Sequence, residues 1–190
     1  MSEPVSRHRG KIRVDYRMIG LVAQGDTLDG YAPRFSAGML NARSEVLTFS
    51  SSVDSYPSLT WLIIEHWTSP PPAEYLDLWD AAAELTYTFN TDAQLAETYE
   101  PPALSTMDPE LAEVLIPAGT YRFRAYARKY GSVVVPRPEK QIERDPTFDE
   151  NDELITEDRL EEMLVQYWPT TSDQGSESTE IKAHAEYPSW

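Results

Sequence analysis

Polar and apolar residues alternate along most of this chain, and this period of two limits the fold more than any other sequence feature. In "KIRVDYRM" (residues 11–18) every second residue is apolar, which predicts a strand with one buried face. The segment "LTWLIIEHW" (59–67) is apolar on both faces and predicts a strand covered on both sides. Further strand candidates are "EVLTFS" (45–50), "ELTYTFN" (84–90), "QLAETY" (94–99), "LAEVLI" (111–116), "TYRFRAYAR" (120–128) and "MLVQYW" (163–168).

Two kinds of segment interrupt the strand pattern. The proline-rich stretches "SPPPAEY" (69–75) and "EPPAL" (100–104) predict loops, because proline cannot donate a ladder hydrogen bond. Two short stretches have helical character, "AEYLDLWDAAAEL" (73–85) and "EDRLEEML" (157–164), and neither can form a helical layer. The sequence therefore predicts an all-β fold, an antiparallel β-sandwich of about eight strands with a long acidic hairpin insert.

The strand pattern also sets the expected domain boundaries. We expect a flexible N-terminal arm over residues 1–10, a β-sandwich domain over 11–169 with the insert at 129–160, and a mostly flexible tail over 170–190. The residues that share one face of each strand form the predicted core: Val14, Tyr16, Trp61, Ile63, Tyr87, Phe89, Tyr121, Phe123, Val165 and Tyr167.

Composition narrows the range of functions. The 190 residues contain no cysteine, so disulfides, thiolate zinc sites and a cysteine nucleophile are excluded. A net charge of −16 repels nucleic acid and anionic lipid and attracts basic proteins, so we expect neither direct nucleic-acid binding nor membrane binding. We expect a cytoplasmic protein, and the sequence leaves its oligomeric state open.

The acidic charge is concentrated in one segment. Residues 139–162 contain eleven acidic side chains against three basic ones. An EF-hand loop counted from Asp149 would place Leu154 at the glycine position and Leu160 at the bidentate glutamate position, so the segment does not match an EF-hand calcium loop. The insert is either solvated surface or a contact for a basic protein, and the predicted partner-binding residues are Asp149, Glu150, Asp152, Glu153, Glu157 and Asp158.

Catalytic signatures are weak, and we predict no enzyme activity, no cofactor and no metal site. The histidines His8, His66 and His184 stand far apart in sequence, and a deep pocket that joined His66 to carboxylates would be needed to indicate an enzyme. Arg122, Arg124 and Arg128 share one strand face, where they are expected to pair with acids on a neighbouring strand.

Four tryptophans offer an alternative function. Trp61, Trp67, Trp79 and Trp168 are expected to pack in the core. If they formed an exposed row, they would instead indicate a carbohydrate-binding β-sandwich.

The order of strands and one turn motif resemble a known family. The unit "LIPAGTYRFRAYAR" (115–128) followed by "EMLVQYWP" (162–169) is similar to the competence-associated nuclease inhibitors, the ComJ-like proteins, and to other bacterial proteins of this size. The resemblance covers residues 11–168 and implies a soluble, non-enzymatic β-sandwich that binds and neutralises a nuclease. The acidic insert is longer than in the short family members, and it could occupy a basic cleft as a nucleic-acid mimic, as an inhibitor or immunity protein would.

Overall fold

Strands make up nearly all of the regular structure of this chain. The computed structural model describes residues 3–14, 18–26, 28, 39–43, 46–50, 58–74, 76–96, 107–128, 161–171 and 179–182. The strands are β1 (Ser6–Val14), β2 (Met18–Ala23), β3 (Leu40–Arg43), β4 (Val46–Ser50), β5 (Ser58–His66), β6 (Ala81–Phe89), β7 (Ala93–Ala96), β8 (Leu115–Ile116), β9 (Gly119–Arg128), β10 (Glu161–Pro169) and β11 (Thr179–Lys182). Within the described ranges, one helix, α1 (Pro109–Ala112), and one 3-10 turn, Leu76–Leu78, accompany them. The protein is therefore all-β, and none of the helices in these ranges is long and apolar enough to cross a membrane.

The strands form two sheets. The six-stranded sheet has the order β1-β5-β10-β9-β6-β11, and the five-stranded sheet has the order β3-β4-β2-β7-β8. Every pairing is antiparallel except that of β5 with β10, which is parallel. The expectation of a purely antiparallel architecture is therefore wrong at this pair. Strands that lie about a hundred residues apart carry no turn signature between them, so local pattern could not reveal their relative direction.

The pairing of β9 with β10 positions the acidic insert. The two strands are antiparallel, with Arg128 opposite Glu162 at one end and Tyr121 opposite Pro169 at the other. This confirms the prediction that the strands flanking the insert are paired neighbours. Residues 129–160 themselves lie outside the described residues.

Several boundaries of the domain and of the strands differ from those predicted from the sequence. Ser6–Gly10, assigned above to the arm, belongs to β1 and pairs with β5, and Thr179–Lys182 of the expected tail pairs with β6. Residues 81–83 and 161–162, which stood only in stretches of helical character, belong to strands, and at 84–85 and 163–164, where helical and strand predictions overlapped, the strand is confirmed. Leu111 lies in α1, so only the end of the strand predicted there, Leu115–Ile116, is extended. Helical propensity is a weak preference, and burial of Ala81–Ala83 beside β9 overrides it.

The apolar faces of both sheets share one core. Ile19, Leu21 and Phe49 from the five-stranded sheet join Ile12 and Phe123 from the six-stranded sheet. Seven of the predicted core residues lie in this cluster: Val14, Tyr87, Phe89, Tyr121, Phe123, Val165 and Tyr167.

The remaining three predicted core residues are not part of this cluster, and for two of them the wrong face of β5 was predicted to be buried in the main core. Tyr16 lies outside the described residues, whereas Trp61 and Ile63 belong to a second cluster on the opposite face of the six-stranded sheet. Leu62 and Ile64 point into the main core in their place. Because β5 is apolar on both faces, its period-two pattern could not decide which set faces inward.

The outer edge of β1 is closed by acidic side chains of the segment around α1. The backbone N–H of Lys11 donates to Asp108 Oδ2 at 2.7 Å, and that of Arg9 donates to Glu110 Oε1 at 3.1 Å. Asp108 N–H donates in return to the Lys11 carbonyl at 2.9 Å. This approach requires glycine at position 10, where a Cβ would stand 2.6 Å from Asp108 Cβ.

Truncation of Phe123 to alanine tests the core. Phe123 is fully buried and packs against the rings of Phe89, Tyr121 and Tyr167, so Phe123→Ala is expected to lower the free energy of unfolding by about 3–5 kcal/mol in a urea titration. The control Leu78→Ala alters a side chain that is 60% exposed and is expected to change stability by less than about 0.5 kcal/mol. Equal effects of the two variants would contradict this assignment of the core.

Candidate functional site

The predicted partner-binding residues lie outside the described residues, but both ends of the insert are defined. Asp149, Glu150, Asp152, Glu153, Glu157 and Asp158 all belong to the undescribed segment. Its flanking residues Arg128 and Glu161 end two neighbouring strands in the middle of the six-stranded sheet. The insert therefore starts and finishes at the same place on the sheet.

Two of the eleven acids counted with the insert belong to the sheet. Glu161 is fully buried and accepts a hydrogen bond from Thr60 Oγ1 at 3.2 Å. Glu162 binds Arg128, whose Nε donates to Glu162 Oε2 at 2.8 Å and whose Nη2 contacts the same oxygen. These two carboxylates hold the base of the hairpin. Nine acids against three bases remain over residues 139–160.

The outer face of the six-stranded sheet, which is the face turned away from the main core, carries a polar row across five strands. Arg7 of β1 lies opposite Glu65 of β5, which lies opposite Gln166 of β10. Gln166 in turn lies opposite Arg124 of β9, and Arg124 lies opposite Glu84 of β6. Cation, anion, amide, cation and anion thus follow one another along a single line of cross-strand neighbours.

Glu84 is the most heavily bonded member of this row. Arg122 donates to Glu84 Oε2 through Nε at 3.1 Å and Nη2 at 2.9 Å, and Arg124 donates to Oε1 through Nε. Burial alone would raise the pKa of Glu84, but the hydrogen bonds and charges of Arg124 and Arg122 lower it below its ordinary value. The expected pairing of β9 arginines with acids on neighbouring strands is confirmed. Glu84 itself was not named in advance, because the sequence pattern does not give the register between β6 and β9.

The other end of the row centres on a buried carboxylate. Glu65 Oε2 accepts hydrogen bonds from Trp67 Nε1 and from Gln166 Nε2, both at 3.0 Å. Its second oxygen, Oε1, lies 3.5 Å from Nε of Arg7, whose side chain is half exposed. Gln166 is also buried, and its Oε1 has no hydrogen-bond donor within the described ranges. The sequence offered no signal for this cluster beyond an acid in an otherwise apolar strand.

The tryptophans named above border the same face and do not form an exposed platform. Trp67, Trp79 and Trp168 are 8%, 6% and 5% exposed. Trp61 is partly exposed, and cations lie over it, with Arg9 Cζ at 5.1 Å and Lys11 Nζ at 6.0 Å from the ring centroid. The predicted burial is thus confirmed for Trp67, Trp79 and Trp168, although these side chains pack on the outer face and not in the main core.

Two arginines cover Trp168 and Trp79. Arg124 Cζ lies 5.2 Å from the Trp168 centroid, and Arg128 Cζ lies 5.2 Å from that of Trp79. At this distance the ring face attracts the cation. The same guanidinium groups that pair with carboxylates therefore also fix the aromatic side chains.

The loop between β5 and β6 covers part of the outer face. Tyr126 Oη accepts a hydrogen bond from the backbone N–H of Glu74 at 3.2 Å, and Arg124 Nη1 donates to the carbonyl of Pro71 at 3.4 Å. Trp79, at the end of this loop, packs with Ile63 and Tyr126 in the second apolar cluster. The apolar outer residues of β5 are buried in this way.

His66 is part of a ring stack. It lies parallel to the Tyr167 ring, with centroids 4.8 Å apart, and burial lowers the pKa of His66 and raises that of Tyr167. His66 is partly buried and packs on its neighbour in β10. His8 donates through Nδ1 to the Glu110 carbonyl at 3.1 Å, and His184 is outside the described residues. Within the described ranges, no three histidine or carboxylate side chains come together as a metal site.

Replacement of Glu84 by glutamine tests the arginine pairing. Glu84→Gln removes the negative charge shared by two guanidinium groups and is expected to cost about 2 kcal/mol of unfolding free energy near neutral pH. Because the pKa of Glu84 is lowered by folding, its contribution is complete above the unfolded pKa and is lost as the pH falls through the folded one.

The difference between wild type and Glu84→Gln should therefore shrink as the pH falls below 4.5, the ordinary pKa of this side chain. Urea titrations above and below that pH measure the difference. Glu113→Gln, an exposed change of equal charge, is expected to have little effect at either pH. A Glu84→Gln deficit that stays constant across the pH range would contradict the assignment.

Comparisons with known proteins give two structural likenesses. No protein-family model and no curated protein matches the chain. The crystal structure of ComJ from Bacillus subtilis, an inhibitor of the DNA-degrading activity of NucA, is 6% identical, covers 90% of this chain and 99% of its own, and has a TM-score of 0.47. A structure titled crocagin biosynthetic gene J is 11% identical, with coverage of 86% and 97% and a TM-score of 0.44. At these TM-scores neither likeness bears on the function of this chain.

Proposed function

We propose that this protein is a non-enzymatic protein-binding module of the cytoplasm, an inhibitor or immunity protein that neutralises a basic nuclease or toxin by occlusion. Asp149, Glu150, Asp152, Glu153, Glu157 and Asp158 contact the partner in this proposal. The observation that carries it is the attachment of a concentrated acidic segment to two central strands of the six-stranded sheet. Complementary charge of this kind speeds association with a basic protein.

The base of the insert supports a binding role. β9 and β10 are paired along their length, and each has another neighbour, β6 and β5 respectively. Arg128 and Glu162 close the hairpin directly beside the insert. A contact segment attached to such a stem is presented from a fixed point, and less freedom is lost when a partner binds near it.

The charge distribution also supports it. Arg122 and Arg124 are bound to Glu84, Arg128 to Glu162, and Arg7 lies beside Glu65. Each of these four guanidinium groups already has a carboxylate partner in the sheet, so none depends on an acid of the insert for charge balance. The acids of residues 139–160 can then act on a partner from outside.

The alternative, a carbohydrate-binding sandwich with exposed tryptophans, has less support. It needs indole faces open to a sugar, and Trp67, Trp79 and Trp168 are buried. Trp61 is covered by Arg9 and Lys11. No observation within the described ranges favours this function over protein binding.

Neutralisation of four insert acids tests the proposal. Wild-type protein is used to capture partners from a lysate of the native host, and the purified partner is assayed for nuclease or toxin activity with and without this protein. We expect a basic partner whose activity is blocked. The variant with Asp149→Asn, Glu150→Gln, Asp152→Asn and Glu153→Gln should associate about tenfold more slowly at low salt, with a flatter salt dependence in stopped-flow measurements.

A control variant of equal charge change separates local contact from net charge. Glu3→Gln, Glu74→Gln, Asp77→Asn and Glu113→Gln neutralise four acids on the described surface, at least partly exposed, and should leave the association rate nearly unchanged. Equal slowing by both variants would mean that only net charge matters. An unchanged rate for the insert variant would place the contact elsewhere and contradict the proposal.

A further inference from the structure

A cavity of about 230 Å³ opens at one end of the two-sheet domain. Ala23 and Asp26 line it from the end of β2, and Tyr87, Phe89, Asn90 and Thr91 line it from the end of β6. Pockets that enclose a drug-sized ligand usually measure about 300–1,000 Å³, so this one fits a single side chain or a group of that size.

The mouth of the cavity is preformed by backbone hydrogen bonds. The turn after β2 closes through Asp26 N–H and the Ala23 carbonyl at 2.9 Å, with Gly25 at a φ of 91° that favours glycine. Gln24 N–H donates to the Asp92 carbonyl at 2.7 Å and ties this turn to the one after β6. Asp92 Oδ1 accepts in turn from Ala118 N–H at 2.9 Å. Three turns thus hold one another in place around the opening.

The lining combines a carboxylate with aromatic rings. Asp26 is exposed at the opening, whereas Tyr87 and Phe89 are buried, with ring centroids 4.8 Å apart and an interplanar angle of 73°. Asn90 and Thr91 add polar atoms at the rim, and none of the described lining residues is basic. A guanidinium cation fits this lining, because it can pair with the carboxylate and is weakly enough hydrated to enter a small, partly apolar cavity.

We propose that this cavity binds the guanidinium group of an arginine side chain presented by a protein partner. The choice of a protein as the source rests on the proposed function, whereas the cation chemistry rests on the lining alone. The chain's net charge of −16 draws cations towards the surface, and Asp26 at the opening selects one that can also enter the small cavity. Arginine is favoured over lysine because its planar guanidinium group is more weakly hydrated than an ammonium group.

Titration of isotope-labelled protein with N-acetylarginine amide tests this site. We expect saturable shifts of the amide resonances of Asp26, Asn90 and Thr91, with a dissociation constant in the millimolar range. The neutral isostere N-acetylcitrulline amide should give no saturable shift. Free L-arginine should bind more weakly than N-acetylarginine amide, because its α-carboxylate adds a negative charge close to a negatively charged protein.

Two variants complete the test. Asp26→Asn should weaken the binding of N-acetylarginine amide about threefold or more, whereas Asp77→Asn, an exposed change of equal charge on the 3-10 turn, should leave it unchanged. The cation site would be overturned if the citrulline probe bound as tightly as the arginine probe, or if Asp26→Asn bound N-acetylarginine amide with the wild-type affinity. Tighter binding of free arginine would overturn its assignment to a protein side chain. None of these measurements needs the protein partner. The arginine site can therefore be disproved while the acidic insert still binds a partner, and the insert can fail to bind a partner while the arginine site is confirmed.

Discussion

The outer face of the six-stranded sheet depends on Glu84 and the two arginines that bind it. Arg122 and Arg124 are both largely withdrawn from water, so their charges require an anion nearby. Arg124 also holds the Pro71 carbonyl and lies over Trp168, which links the covering loop and an aromatic ring to the same carboxylate. The packing of Trp168, the charge balance of the two arginines and the position of the covering loop on this face therefore all depend on the Glu84 carboxylate.

The strand order of the six-stranded sheet determines how firmly the proposed binding segment is attached. β9 and β10 lie in the interior of the sheet, and the parallel neighbour β5 pairs with β10 from Glu161 onward. Buried Glu161 and its hydrogen bond from Thr60 fasten the first residue after the insert to this neighbour. Pulling β10 out of the sheet would therefore require breaking its ladder with β5 as well as its ladder with β9.

The alternation of polar and apolar residues predicted most of the long strands, because a strand with one buried face has an apolar residue at every second position. It could not choose the inner face of β5, where Leu62 and Trp61 are both apolar, nor show that β10 also pairs in parallel with β5. The arginines of β9 were expected to pair with acids on a neighbouring strand, but the sequence did not show which strand lies beside them, so Glu84 was not named. The cavity at Asp26 left no sequence signal, because its walls come from strands that are distant in the chain.

The carboxylates that close the edge of β1 have a consequence for how molecules of this protein meet. An open edge strand offers unpaired backbone groups to any passing chain, which is a common route to fibrous aggregates. Asp108 and Glu110 occupy the donors of Lys11 and Arg9, and the absent side chain of Gly10 lets them come close enough. Addition of a strand from a second molecule is thus blocked along this stretch of β1.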